Sequence, residues 1–456
     1  MDKSKKLGLM NHIGMALGSA IGTGIFVMMG YGIAYTGRSI ALVCAVGCLF
    51  MVLAYWYDNA FGSLFVLKGG DYSVRAMEFP PLLTGVSAWM TIATSLVLSS
   101  HAISITQFAE MLWPQIANFE KLFQVGVLAL AFLCTVKGAK ILARIQNFTV
   151  VILIVAIVLF LFYGIPQVNP AEFFSNADGE FMIAGIGGML TAVSVMSWAC
   201  SGTAANLGLS IVTEKPKRTI PLASWICTGL LAIIYFFMGY VASGAVSYDQ
   251  IAGQNISVAA EAIMPHGPYL FFVIGGGIFA ISSTLLAVLS ALPYPIEKVA
   301  EDGWIPKAIT KKTKGGYPWI INLIIFCVSL IPIITGIDIE GIVGNVTVPS
   351  MIMTIYLNFK CLRIPDKYQE QWENRGIRYP RWLWNLFSLA GGVFSIIVMY
   401  NWIVTMDTKA TIMCVCELVI LFGASAITLK KGWVSREQLE ENRKNVIEEA
   451  LAAEQE

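Results

Sequence analysis

Apolar stretches of about 20 residues recur along this chain from Leu9 to Leu429, separated by short polar or charged segments. A helix of about 20 apolar residues covers the roughly 30 Å of a bilayer's hydrocarbon, so each stretch predicts a membrane-spanning helix. Twelve spans can be delimited, at 9–35, 39–67, 82–112, 122–138, 142–164, 182–212, 219–245, 269–297, 318–337, 340–362, 383–404 and 411–430. Beyond Gly432 the pattern changes: SREQLEENRKNVIEEALAAEQE, from Ser435, alternates charged and apolar residues at helical spacing. Ser435 and Gln438 stand at capping-box spacing, which predicts a charged helical tail, solvated in the cytoplasm, against a helix that docks a partner; no transport role is assigned to it.

Two of the twelve spans do not read as plain anchors. In the first, GSAIGTGIF (Gly18 to Phe26) places three glycines within seven residues. Glycine costs a helix interior about 1 kcal/mol relative to alanine, so an unwound turn is predicted here. Unpaired backbone groups persist in lipid only where protein, water or a ligand satisfies them, which makes the stretch a binding site built of backbone. The competing explanation is close helix packing through small residues. The sixth span repeats the anomaly: after GIGGML (Gly185 to Leu190) it runs through SWACSGTAANLG, Ser197 to Gly208. Interrupted spans five apart predict an inverted repeat whose broken helices meet near mid-bilayer. The corresponding divisions are 1–164, 165–362, two additional spans over 363–432, and the tail over 433–456.

Composition narrows the class. With 57% hydrophobic and 13% charged residues, the chain is a polytopic all-α membrane protein. If the amino terminus lies inside, 27 of the 30 Lys and Arg residues fall on the cytoplasmic side, leaving Arg38, Lys121 and Lys409 outside. That asymmetry predicts cytoplasmic termini in a multi-pass plasma-membrane protein, and it marks the basic loops as topological signals with no call for nucleic acid. All nine cysteines lie in or at the ends of predicted spans, where no disulfide framework or metal site is expected. The basic start MDKSKK leads into a full span without a cleavage signal, so the first span is expected to be retained. His12, His101 and His266 show no ligand or catalytic spacing, so no cofactor, metal or enzymatic activity is predicted. A sensor without transport is a further class, although such proteins usually add a larger soluble domain than this tail.

Broken helices offer both chemistries that a zwitterion needs. The N-terminal end of one half presents N–H groups and partial positive charge to a carboxylate, and the C-terminal end of the other presents carbonyls to an ammonium. Four motifs then carry a resemblance. GSAIGTGIFVMMG (Gly18 to Gly30) resembles the first-span signature of the amino acid-polyamine-organocation transporter superfamily. KGGDYS (Lys68 to Ser73) is similar to its segment after the second span, and TEKPKRTIP (Thr213 to Pro221) to its loop after the sixth. EDGWIPKAI (Glu301 to Ile309), followed by Tyr317-Pro318-Trp319, is similar to its loop after the eighth.

The resemblance implies a 5+5 inverted-repeat fold with two extra helices and transport of amino acids by alternating access. Carried over by position, it implies that the backbone of Ala20, Ile21, Gly22, Thr23 and Gly24 receives the substrate carboxylate. Ala199, Cys200, Ser201 and Gly202 receive the amino group, and Trp198 acts as an aromatic gate. This chain departs from the family's pattern in three places. Gly202-Thr203-Ala204 replaces the usual Gly-Phe-acid, Ala60 stands at a frequent second-span glutamate, and Leu153 stands where relatives place a fifth-span lysine.

Among intramembrane polar groups, His101 in the third span is a substrate or proton candidate, against a neutral histidine bonded to a neighbouring helix. Asp58 in the second span is a coupling candidate, against a structural hydrogen bond. Ser282 and Ser283, followed by Thr284, are candidates for a Na+ site, against bonding back to their own helix. H+ coupling is the alternative to Na+. The lining offers Ser, Thr, Cys, Ala and one His, which favours neutral L-amino acids over a cationic amino acid or polyamine. Trp113 to Lys121, the external loop after the third span, contains no cysteine, so no disulfide-linked heavy chain is expected.

Overall fold

The computed structural model describes residues 6–67, 70–136, 139–201, 204–313 and 316–455. Among these residues the chain is helical throughout, apart from loops and an isolated parallel bridge between Leu7 and Thr213. Among the described residues, nine helical stretches are long and apolar enough to cross a membrane, and Gly185–Val195 and Trp319–Thr335 are shorter apolar helices. Helix occupies most of every predicted span, so the predicted order serves to name them below. Large apolar side chains such as Leu122, Phe148, Ile186, Ile334 and Val419 are exposed on the outside. Lipid takes the place of water against such a surface, and a soluble protein would have to bury it.

The first span forms three pieces, Leu9–Ala20, Thr23–Phe26 and Met28–Thr36, with Ile21 in extended backbone (ψ 100°) at the predicted break. The sixth forms Gly185–Val195 and Ser197–Cys200, then continues beyond the second break as a 3-10 helix from Ala204 to Val212. A further interruption, at Tyr55 in the second span, separates Ile40–Ala54 from Trp56–Leu64. Asn358 of the tenth span repairs it, donating from Nδ2 to the Ala54 carbonyl at 2.5 Å and accepting from the Tyr57 N–H at 3.1 Å. A polar side chain from a neighbouring helix is a usual way to satisfy interrupted backbone in lipid.

The two ends of the described chain lie on one face. Leu7 exchanges backbone hydrogen bonds with Val212 (2.7 Å) and Glu214 (2.9 Å), and His12 Nε2 shares a 2.7 Å bond with the Thr213 hydroxyl. The start of the first span is thereby tied to the loop after the sixth. The tail is helical over Arg436–Gln455, and Ser435 Oγ caps it by accepting from the Gln438 N–H at 3.0 Å. It is not fully solvated: Val446 and Ala450 are buried in an apolar cluster with Trp56, Phe61 and Phe79. Arg443 donates to the Phe79 carbonyl at 2.8 Å, and Lys217 pairs with Glu454 at 2.6 Å. On the same face Tyr72, from the Gly70–Glu78 helix, donates to Asp302 at 2.8 Å and joins two of the four motif loops. Burial pushes the Asp302 carboxyl above the usual carboxylate range, opposed by Lys298 and by the Tyr72 hydroxyl.

Candidate functional site

The two breaks pack against each other. A Cβ built on Gly24 would lie 2.6 Å from Ala199 Cα, closer than real Cβ contacts come, so glycine here lets the two backbones touch. A Cβ on Gly22 would meet the Thr284 hydroxyl of the eighth span at 2.6 Å. Gly22, in the break itself, and Gly24, in the first turn of the next helical piece, both allow close packing, so the unwound turn and the packing that the sequence alone posed as alternatives occur together. Tyr235 of the seventh span joins the two broken ends. Its hydroxyl donates to the Ala20 carbonyl at 3.0 Å and lies 3.3 Å from the Ala199 carbonyl. Ala20 closes the first half-helix and Ala199 belongs to the last turn of Ser197–Cys200, so one hydroxyl serves orphan carbonyls on both broken helices.

The surrounding spans complete the frame. Phe26, just beyond the first break, packs edge-on against Phe108 at 6.1 Å and at a tilt of 50° against Phe272 at 5.5 Å. It meets the eighth span where Phe272–Phe279 forms a π-helix, and a Cβ on Gly276 would sit 3.1 Å from its ring. Such π-bulges concentrate at functional sites. His101 precedes Phe108 by seven residues, so it shares the helix face directed at the break, about 10 Å along the axis. It is buried, and its Nδ1 lies 3.0 Å from the Val97 carbonyl. A carbonyl only accepts, so Nδ1 carries the proton and a neutral His101 offers Nε2 as an acceptor.

Trp198 is half-buried and lines a cavity of about 40 Å³ with Ser197, Ser201, Met51, Tyr55, Thr347 and Ser350, closed by Val346. That volume holds a few waters, whereas small-molecule sites run to roughly 300 Å³ or more. Among the described residues, no charged side chain lines it. Cys200 is buried, and its thiol donates to the Cys44 carbonyl at 3.9 Å. Ser201 Oγ donates to the Trp198 carbonyl at 3.1 Å. Gly202 lies outside the described residues, and for Thr23 only the backbone is described.

A family profile described as amino acid permease matches residues 7–423, nearly the whole chain. The chain belongs to the amino acid permease family. The permease is thus a multi-pass membrane protein of amino-acid transport, not an enzyme. It is 23% identical over 331 residues to the branched-chain amino acid permease BcaP of Bacillus subtilis, covering 67% of this chain and 69% of that one. It is 25% identical over 309 residues to the L-methionine/branched-chain amino acid exporter YjeH of Escherichia coli, covering 66% and 69%. The methylthioribose transporter of Bacillus subtilis is 23% identical over 339 residues, covering 68% and 71%.

The ion candidates of the permease do not converge on one point. Ser283 accepts from Thr149 of the fifth span at 2.7 Å, while Thr284 bonds back to the Ala280 carbonyl at 3.1 Å beside Gly22. Ser282 is half-buried next to them. Asp58 is buried one turn beyond Tyr55 but does not line the cavity, and among the described residues its Oδ1 has no hydrogen-bond partner. Sequence reading missed Tyr235, Thr149, Tyr55 and the π-helix. The signal for Tyr235 was a tyrosine in an apolar span, whose hydroxyl must find an acceptor.

Proposed function

We propose that this permease carries neutral L-amino acids across the plasma membrane by alternating access, as an exchanger or an ion-coupled symporter. The observation that carries the substrate class is the uncharged lining around Trp198, made of serines, a threonine, a tyrosine and apolar side chains. A cationic amino acid or polyamine would bury its side-chain charge there without a partner, at a cost of several kcal/mol. Asp58, the acid nearest in sequence to that lining, lies outside it. The amino acids for which BcaP and YjeH are named, branched-chain amino acids and methionine, have side chains that are uncharged in the same way.

In this mechanism the first N–H groups of Thr23–Phe26 receive the carboxylate, with Ala20 to Gly24 supplying the backbone, and Ala199 to Gly202 receive the ammonium. His101 Nε2 is a further acceptor for the ammonium, and Trp198 gates the cavity. Because about 40 Å³ is too small for an amino acid, loading parts the second, sixth and tenth spans around Trp198. The breaks belong to two inverted repeats, 1–164 and 165–362, and rocking of one against the other exposes the site to each side in turn. The excess of Lys and Arg on the face with both chain ends supports a cytoplasmic position for that face.

Uptake of labelled leucine, methionine, lysine and glutamate into proteoliposomes, under imposed Na+, H+ or counter-substrate gradients, tests this function. Accumulation of the neutral pair under one of the gradients is expected, and the effective gradient identifies the coupling. Transport of lysine in preference to leucine would overturn the substrate class, and no flux of any amino acid would overturn the function.

A further inference from the structure

A second cavity, of about 490 Å³, opens on the face that carries both termini. Its size is within the range of small-ligand sites. Its wall holds four cations, Lys6 from the start of the chain and Lys215, Lys217 and Arg218 from the loop before the seventh span, against one carboxylate, Glu454 of the tail helix. Glu454 is engaged by Lys217 at 2.6 Å. Among the described residues, the ion pairs include none of Lys6, Lys215 and Arg218. Orienting the protein in a membrane requires only that basic residues lie on this side. It does not require that segments more than 200 residues apart gather them around one hollow. The loop at Gly376 presses on the same wall, where a Cβ would lie 2.2 Å from the Lys217 carbonyl oxygen.

We propose that this cavity binds a phosphate-bearing anion, and that Glu454 is a built-in competitor which the anion displaces from Lys217. A single carboxylate leaves most of the wall's positive charge unmatched, whereas a phosphate brings up to two charges and several acceptor oxygens to amines and a guanidinium. Displacing Glu454 removes the ion pair that holds the C-terminal end of the tail helix, while the Arg443 and Gln438 bonds stay, so occupancy of the cavity and docking of the tail's end are linked with opposite sign. The anion is either free phosphate or the headgroup of an anionic lipid, since the cavity opens on a membrane-flanked face.

Calorimetric titration of the full-length protein with inorganic phosphate in uncharged detergent tests the free anion. Native mass spectrometry after passage through phosphatidylcholine nanodiscs with or without phosphatidylglycerol tests the headgroup. Saturable heat or selective retention of phosphatidylglycerol is expected in one arm, and neither would overturn the site. In the responding arm, Lys215→Ala combined with Arg218→Ala, both exposed side chains, is expected to weaken binding at least tenfold. Glu454→Gln is expected to tighten it several-fold by removing the competitor. Unchanged binding in the double variant, or unchanged or weaker binding in Glu454→Gln, would overturn the assignment, and no transport measurement enters either arm.

Discussion

At the scale of single residues, Gly22 and Gly24 meet different obstacles, and this separates their substitutions. An alanine methyl at 24 runs into the Cα of Ala199, which no side-chain change can remove. Overpacking of that kind costs about 1–3 kcal/mol. Gly24→Ala is therefore expected to lower the thermal midpoint of the purified protein and to reduce uptake, with no side-chain trim restoring either. At Gly22 the nearest obstacle is the Thr284 hydroxyl at 2.6 Å, and the next is Thr284 Cβ at 3.3 Å. Gly22→Ala is expected to impair the protein, and Thr284→Ala in the same chain to recover most of the loss. Melting curves and uptake of the single and double variants check the pair. Failure of Thr284→Ala to improve Gly22→Ala would mean that Gly22 is required for its backbone conformation and not for the space beside Thr284.

At the scale of elements, the broken helices are stabilised by what lies across from them. Replacing Tyr235 by Phe keeps the ring packing and removes the donor shared by the Ala20 and Ala199 carbonyls. Leaving buried carbonyls unsatisfied costs about 1–3 kcal/mol, so Tyr235→Phe is expected to destabilise the protein and weaken substrate binding together. Unaltered melting and binding would mean that other donors reach both carbonyls. The breaks themselves were legible because glycine and small polar residues interrupt an apolar run locally, at Gly18 to Gly24 and after Cys200. The interruption at Tyr55 was not legible: no glycine or proline marks it, and its repair comes from Asn358, some 300 residues away. The π-helix at Phe272–Phe279 was hidden for a related reason. Its glycines read as ordinary membrane packing, and only the Phe26 and Phe108 rings that lie against Gly276 and Gly277 give them a role in the site.

At the scale of the whole molecule, the tail helix ties together loops that belong to different parts of the chain. Gln438 Nε2 lies 3.5 Å from the Asp302 carbonyl, Arg443 holds the Phe79 carbonyl, and Glu454 reaches Lys217. Its charge pattern correctly announced a helix and its cap, but the apolar residues between the charges gave no address for the surface they cover. That surface is the buried cluster around Phe79 and Phe61, so docking depends on Val446 and Ala450. Val446→Asp places a carboxylate where no partner awaits it, a penalty of several kcal/mol that undocking avoids altogether. Undocking costs only the local contacts, because the tail lies outside the membrane-spanning helices. The variant is therefore expected to keep its fold and its melting midpoint to within a few degrees while its tail becomes sensitive to trypsin at Lys444. Glu448→Lys, a change on the exposed side of the same helix, is expected to leave cleavage unchanged. If the two variants are cut at the same rate as the unaltered protein, the apolar face is not what holds the tail, and the polar ties at its two ends must suffice.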